Sequence, residues 1–409
     1  MRPLVLFCLC LHMQVFGQLD QRLVAIQHIQ QGDMQLRIGN SEQALIEYTN
    51  AIQADPAYAD AYMKRGTVFT RLGQPNRALA DMDRALALNP MSAYIHDRRA
   101  MLRLLQGDLK GAREDLDRAV ELKPYDDLLR EHRVDGLMRM ELCELAMADL
   151  DTLLAHHATD PMLHLKLAVC RLQEDDPALA LEAARHAVRL APTSAVAHDL
   201  EGVALFHLGR SEEATRAFDR SIALDSLFDL AWFNRSRVHR ALGRTADARA
   251  DLDRAIALAK DRPHIHLQRA VLRKEAGDLQ GAIDDHDRVL GMAPNHVGAL
   301  FDRSFTRKQL GDHVGAMQDA ERSLQLTPED PEAWMLKGNI HLLFGEVPEA
   351  IEHYSRAIGL GGIEAEAHYS RALALLMSYR LPDGCADLRR SADLGHPKAA
   401  EMLVHFCSY

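Results

Sequence analysis

An alanine returns every thirty-four residues, at Ala44, Ala78, Ala112, Ala146, Ala180, Ala214, Ala248, Ala282, Ala316 and Ala350, without one residue of slippage. A period held over ten copies confines the chain to an array of one supersecondary unit, because each copy must offer the same contact to the next. Residues 59–92 show what that unit is. Tyr62, Val68, Phe69 and Leu72 fall on one helical stripe, and Ala78, Met82, Ala85, Leu86 and Leu88 fall on another. A glycine closes the first run in phase at Gly39, Gly73, Gly107, Gly209, Gly243, Gly277, Gly311 and Gly345, and two repeats lack it. A proline stops the second run at Pro56, Pro90, Pro124, Pro192, Pro294 and Pro328. Such a helical hairpin cannot bury both stripes alone, so its copies must stack.

These residues resemble the tetratricopeptide repeat, whose pattern is an aromatic, a Leu-Gly pair and a second aromatic, then A-x3-F and a closing Pro. Repeat two carries Tyr62, Arg65, Gly66, Phe69, Ala78, Met82, Ala85 and Pro90, and repeat ten carries Trp334, Lys337, Gly338, His341, Ala350, Tyr354 and Ala357. The resemblance implies an all-α fold, a right-handed α-α superhelix of about eleven helix-turn-helix repeats. Repeat four departs most, with Val134 for the packing Gly, Glu141 for the turn Gly and Leu153 for the late Ala. Its hairpin is expected to be splayed or tilted.

The expected organisation is a signal peptide over 1–17, a lead-in over 18–24, ten repeats over 25–364, and an atypical eleventh pair with a capping helix over 365–409. The start, MRPLVLFCLCLHMQVFGQ, has one Arg, an apolar run, and a small residue two places after Val15. This predicts export, to a periplasm or outside the cell, with cleavage near Gly17-Gln18. The run is short for a membrane span and is broken by His12 and Gln14, so stable transmembrane insertion is not expected. At the other end Ser391 to His396 is similar to the Sel-like branch of the same superfamily, and Met402, Leu403 and Phe406 are available to cover the last apolar flank.

Cys143, Cys170, Cys385 and Cys407 form no C-x-x-C unit. Cys143 and Cys170 read as small core residues; an oxidising compartment would permit Cys385 with Cys407. The formal charge of −11 argues against nucleic acid, whose phosphates demand a basic footprint. A D-R-A pattern at Asp83, Asp117 and Asp253, nearly kept at Asp219 and Asp287, reads as a solvated face with local ion pairs.

No HExxH, GxGxxG, GxxxxGK or GxSxG pattern occurs, and the repeats leave no block for a catalytic domain. Neither enzyme activity nor a cofactor is expected. His28, His96, His164, His198, His266 and His368 all occupy the aromatic position of a first helix, which reads as stacking and not as a metal site.

The resemblance implies a groove lined by first helices at repeat positions two, five, nine and twelve, holding a protein or peptide. In repeats one to six these positions are mixed, among them Asp33, Leu36, Asp60, Met63, Tyr94, Asp97, Met101, Glu131, Asp135, Met162, Leu165, Val169, Val196, Asp199, Val203 and Phe206. In repeats seven to nine they turn aromatic and basic, with Phe233, Arg237 and Arg240, then Lys274, then Phe301, Phe305 and Lys308. Exposed Phe beside cations is a binding composition; the alternative is that tightly wound hairpins bury part of these positions against the following repeat and leave Phe301 and Phe305 as core. The family's carboxylate clamp is incomplete: Asn234 fits its middle position, but Asp199 and Val203 precede it and His264 and Gln268 follow. A cytoplasmic adaptor with a signal-like start, or the recruiting subunit of an enzyme complex, are the alternatives to an exported scaffold.

Overall fold

The computed structural model describes residues 2–407, with side chains over 20–407. Twenty-three α-helices and no strand occur among the described residues. The chain forms two compact units, Met1–Leu208 and Gly209–Tyr409, with the boundary inside the sixth repeat. The N-terminal unit holds α1 (Arg2–Arg37) and α2 (Ser41–Ala54), α3 (Ala59–Arg71) and α4 (Pro75–Leu88), and α5 (Ala93–Gln106) and α6 (Leu109–Leu122). It continues with α7 (Asp127–Arg139) and α8 (Cys143–His156), α9 (Pro161–Gln173) and α10 (Pro177–Leu190), and ends on α11 (Ala195–His207). The C-terminal unit opens with α12 (Ser211–Leu224), followed by α13 (Asp229–Ala241) and α14 (Thr245–Leu258), and α15 (Pro263–Glu275) and α16 (Leu279–Met292). Then come α17 (Val297–Leu310) and α18 (His313–Leu326), α19 (Pro331–Phe344) and α20 (Val347–Leu360), α21 (Glu364–Met377) and α22 (Leu381–Asp393), and the short α23 (Ala399–Phe406).

Helix α1 runs unbroken through the expected lead-in, and the expected signal segment falls where side chains are outside the described residues. Among the described residues no helix is long and apolar enough to cross a membrane.

Each core cluster joins one hairpin to the first helix of the next: Phe69 of α3, Met82 and Leu86 of α4, and Ile95 and Leu102 of α5 form one. All ten in-phase alanines have 0% exposure, which explains their period, since any larger group would push the helices of a hairpin apart. Within each unit first helices approach one another directly, α3 with α5, α5 with α7 and α9 with α11, then α17 with α19 and α19 with α21. Second helices do not come as close, so first helices form the inner layer of each unit.

The turn glycines have φ between 68° and 91°, where a Cβ would be strained. The two repeats without glycine use the same backbone: Glu141 has φ 60° and Asp175 φ 57°. Leu142 N–H donates to the Leu137 carbonyl at 2.9 Å, as Asp108 N–H does to Arg103 across Gly107. As expected, the hairpin of α7 and α8 packs less closely than its neighbours in the N-terminal unit.

Cys143 and Cys170 are buried as expected, but they are also joined by a disulfide, with Cα atoms 5.0 Å apart, tying the start of α8 to α9. Sequence separation of 27 gave no hint of this. Cys385 and Cys407 are joined as well, Cα atoms 5.8 Å apart, and fasten α23 to α22. Val404 of α23 is nonetheless 73% exposed, so the terminal helix covers the end of the array only in part.

Candidate functional site

With Ala59 as position 1 of repeat two, position 7 is an arginine that crosses its own hairpin to an aspartate at position 23. Arg65–Asp81, Arg99–Asp115, Arg133–Asp149, Arg235–Asp251, Arg269–Asp285, Arg303–Asp319 and Arg371–Asp387 are each paired through two hydrogen bonds of 2.6–3.0 Å. A planar guanidinium fits a carboxylate in this forked geometry. Its remaining nitrogen turns back to position 25 of the preceding repeat, from Arg99 to Asp83 at 2.8 Å and from Arg269 to Asp253 at 2.8 Å. The aspartates of the D-R-A pattern at Asp83, Asp219, Asp253 and Asp287 are exposed as expected, and each is held by the next repeat's arginine; half-buried Asp117 has both that partner, Arg133, and a local one, Arg113 at 3.7 Å. Repeat five has Leu167 and Ala183 at the two positions, and Arg185 with Glu201 reverses the charges of the inter-repeat rung at 3.1 Å.

Position 4 shows why histidine can stand for an aromatic residue. In several repeats the residue there donates to the carbonyl six residues back, in the turn before the helix: Tyr62 to Pro56, His164 to Ala158, Trp232 to Ser226 and Trp334 to Pro328, at 2.9–3.2 Å. His96 and His266 do the same to Pro90 and Lys260 and also face Asp115 and Asp285 through Nδ1, at 2.8 and 3.2 Å. Burial works to raise the pKa of Asp115 and Asp285, yet hydrogen bonds from the arginine and histidine hold both below the usual carboxylate range. These charges belong to the frame. Among the described residues no cluster suited to a metal ion occurs.

The groove residues of the C-terminal unit divide. Phe233 is half-buried against Leu252 and Ile265, with its ring edge-on to His264 at 5.0 Å. Arg237 is half-buried, and Arg240 is paired with Glu275 at 2.8 Å and reaches Gln268 at 3.4 Å. Phe301 and Phe305 are half-buried against Ala316, Ala320, Leu336 and Ile340. Each ring is thus core on one side, where the following hairpin covers it, and open on the other. Three residues do converge: Lys274 Nζ lies 5.4 Å and Lys308 Nζ 4.7 Å from the centroid of the Phe305 ring. The ring's negative face favours both ammoniums. Burial, with no compensating partner, pushes the Lys308 pKa down.

In the N-terminal unit four groove acids find cations within the chain. Asp33 accepts from Lys64 at 2.8 Å, Asp97 from His132 at 2.8 Å, and Glu131 and Asp135 both face Lys166, at 2.9 and 2.7 Å. What the charge-led reading of positions two to twelve passed over is apolar: Leu128 at position two is 53% exposed. It continues the phase of Tyr94, Met162 and Val196, a signal that spacing by thirty-four already contained.

The family model of the tetratricopeptide repeat matches residues 64–127, 133–195, 200–263, 233–297 and 306–365, together more than half of the chain. No curated protein matches the sequence significantly. Among solved structures, the chain is similar to the APC/C hetero-tetramer Cut9-Hcn1, at 12% identity over 92% of this chain and 95% of that one, TM-score 0.47. It is also similar to yeast Tom70, at 15% identity over 92% and 93%, TM-score 0.41. A third is YrrB, described as a TPR protein with an unusual peptide-binding site, at 21% identity over 45% of this chain and 95% of that one, TM-score 0.41.

Proposed function

Since the chain belongs to the tetratricopeptide repeat family, we propose that it is an exported, non-catalytic scaffold whose first helices hold a protein or peptide segment bearing carboxylates beside an apolar anchor. The observation that carries this reading is the pair of ammoniums on Phe305. Neither Lys274 nor Lys308 is matched with a carboxylate among the described residues, in a chain whose formal charge is −11. A ligand carboxylate would supply the missing counter-charge while its neighbour covers the ring. Arg237 and Arg240 line the same inner layer two repeats earlier. Export is supported by the apolar start and by two disulfides, which persist in oxidising compartments.

The test is a titration of a labelled peptide of Glu and Leu against its Gln and Leu counterpart. Lys274→Glu with Lys308→Glu is expected to weaken the acidic peptide about tenfold or more, to flatten its salt dependence, and to leave the melting temperature nearly unchanged. An acidic peptide held as tightly by the charge-reversed protein as by the parent would remove the lysines from the reading. Phe301→Ala is expected to cost about 2 kcal/mol of stability or more, because half of that ring is core. Export has its own measurement: protein recovered from its native cell should have a mass that begins at Gln18, and an intact Met1 would count against it.

A further inference from the structure

Hairpin ten, α19 with α20, lacks the ionic frame of its neighbours. Its position 7 is Lys337 and its position 23 is His353, where the frame elsewhere has arginine and aspartate. Lys337 turns to Glu321 of α18 at 3.2 Å, and its ammonium lies 5.9 Å from the centre of the Trp334 ring. His353 packs among rings of α19, its centroid 4.8 Å from that of His341 and 5.4 Å from that of Trp334. His341 holds Glu346 at 2.6 Å through Nδ1, while its Nε2 is buried without a hydrogen-bond partner. Two imidazoles and an ammonium thus gather where a neighbouring hairpin has one cation and its carboxylate.

That gathering holds only while His353 is neutral. Among the described residues His353 makes no ion pair, because the nearby Glu321 and Glu346 are taken by Lys337 and His341. From the next hairpin, Arg371 of α21 donates to Ser355 at 2.9 Å, a position where other repeats carry aspartate. Burial, then Lys337 and His341, push the His353 pKa below the ordinary imidazole value, against a weaker pull from Glu352 on its own helix and from Glu321. The unfolded chain therefore takes up this proton more readily than the folded hairpin. Stability is complete above about pH 6.5, the ordinary imidazole value, and is lost as pH falls below it. His132 shows the opposite case: Asp97, 2.8 Å away, raises its pKa, so it gains its charge with a partner in place.

We propose that hairpin ten is an acid-opened joint, in which a proton on His353 beside His341 and Lys337 loosens α19 from α20, so that α20 to α23 can part from the array. Neither disulfide spans this joint: one lies between α8 and α9, the other between α22 and α23. Leu336 and Ile340 of α19 also back Phe301 and Phe305, but the opening is independent of whatever the groove holds.

The measurement is amide hydrogen exchange of the full chain, corrected for the intrinsic pH dependence of exchange. Protection across residues 331–360 is expected to fall about tenfold or more between about pH 7.5 and about pH 5, relative to residues 93–122, where Arg99 and Asp115 keep the frame. Lys337→Arg with His353→Asp, which builds the frame of the other hairpins, should remove the fall. His353→Asn, which takes up no proton and adds no charge, should remove it too, and decides the matter if the double variant folds poorly. Equal relative protection of residues 331–360 at both pH values overturns the proposal, as does an acid response that persists in His353→Asn. So does a His353 ring that titrates, by NMR, at or above about pH 6.5.

Discussion

In hairpin two, Gly66 of α3 leaves no room for a side chain: a Cβ there would lie 2.9 Å from Met82 Cε and 3.1 Å from the Ala78 carbonyl. In hairpin four the same position is Val134, fully buried, and Leu153 stands where hairpin two has Ala85. The helices α7 and α8 consequently stand further apart than α3 and α4. Space is recovered two residues on, where Gly136 stands in place of Val68 and admits the Leu116 side chain of α6. The ionic frame is unchanged: Arg133 grips Asp149 as Arg65 grips Asp81. Hairpin four then adds a bond that hairpin two lacks, with Cys143 where hairpin two begins its second helix on Pro75. Apolar packing can thus be exchanged between positions, while the buried carboxylate must keep its arginine.

Removing the carboxylate should have the largest effect. Asp81→Ala strands Arg65, and Asp149→Ala strands both Arg133 and Arg130, which donates to it at 2.7 Å. Each is expected to cost about 3 kcal/mol or more, with hairpin four losing more, as read by denaturant titration with hydrogen exchange resolved by hairpin. A smaller effect in hairpin four would mean that its frame is not the conserved part. Next comes the disulfide. Cys143→Ser with Cys170→Ser should cost about 2–4 kcal/mol, and exchange across residues 127–156 should then outrun that across residues 59–88. If both segments remain equally protected without the bond, the looser packing of α7 and α8 is no weakness. The turn gives the smallest change: Glu141→Gly should stabilise by about 0.5–1 kcal/mol, and Gly73→Ala should destabilise by about 1 kcal/mol, measured as opposite shifts in melting temperature.

Period, hairpin and stops were legible because each depends on neighbours close in the chain, as with Gly73 ending α3 and Pro90 ending α4. The ionic frame was not, since Arg65 and Asp81 meet only when two helices fold together, and Asp83 and Arg99 only when two hairpins stack. Read locally, the aspartates of the D-R-A pattern look like solvated pairs. Cys143 and Cys170 were hidden for the same reason: each suits a core by itself. Phe301 and Phe305 posed a different difficulty, because the sequence allows both a groove face and burial against the following hairpin, and the rings take part in both. The apolar phase of position two was missed at Leu128, where attention to Glu131 and Asp135 favoured charges that Lys166 already satisfies.

The division of labour among the aspartates also governs how such an array can come apart. Within the arginine frame the deeply buried carboxylate and its arginine lie in one hairpin, and the aspartate shared between neighbours is the exposed one. A terminal hairpin can therefore peel away, leaving behind an aspartate that water already reaches and never an ion trapped in an apolar interior. Fraying from either end then proceeds in small, reversible steps, until it meets Cys143 and Cys170, where peeling of one hairpin from the next must stop.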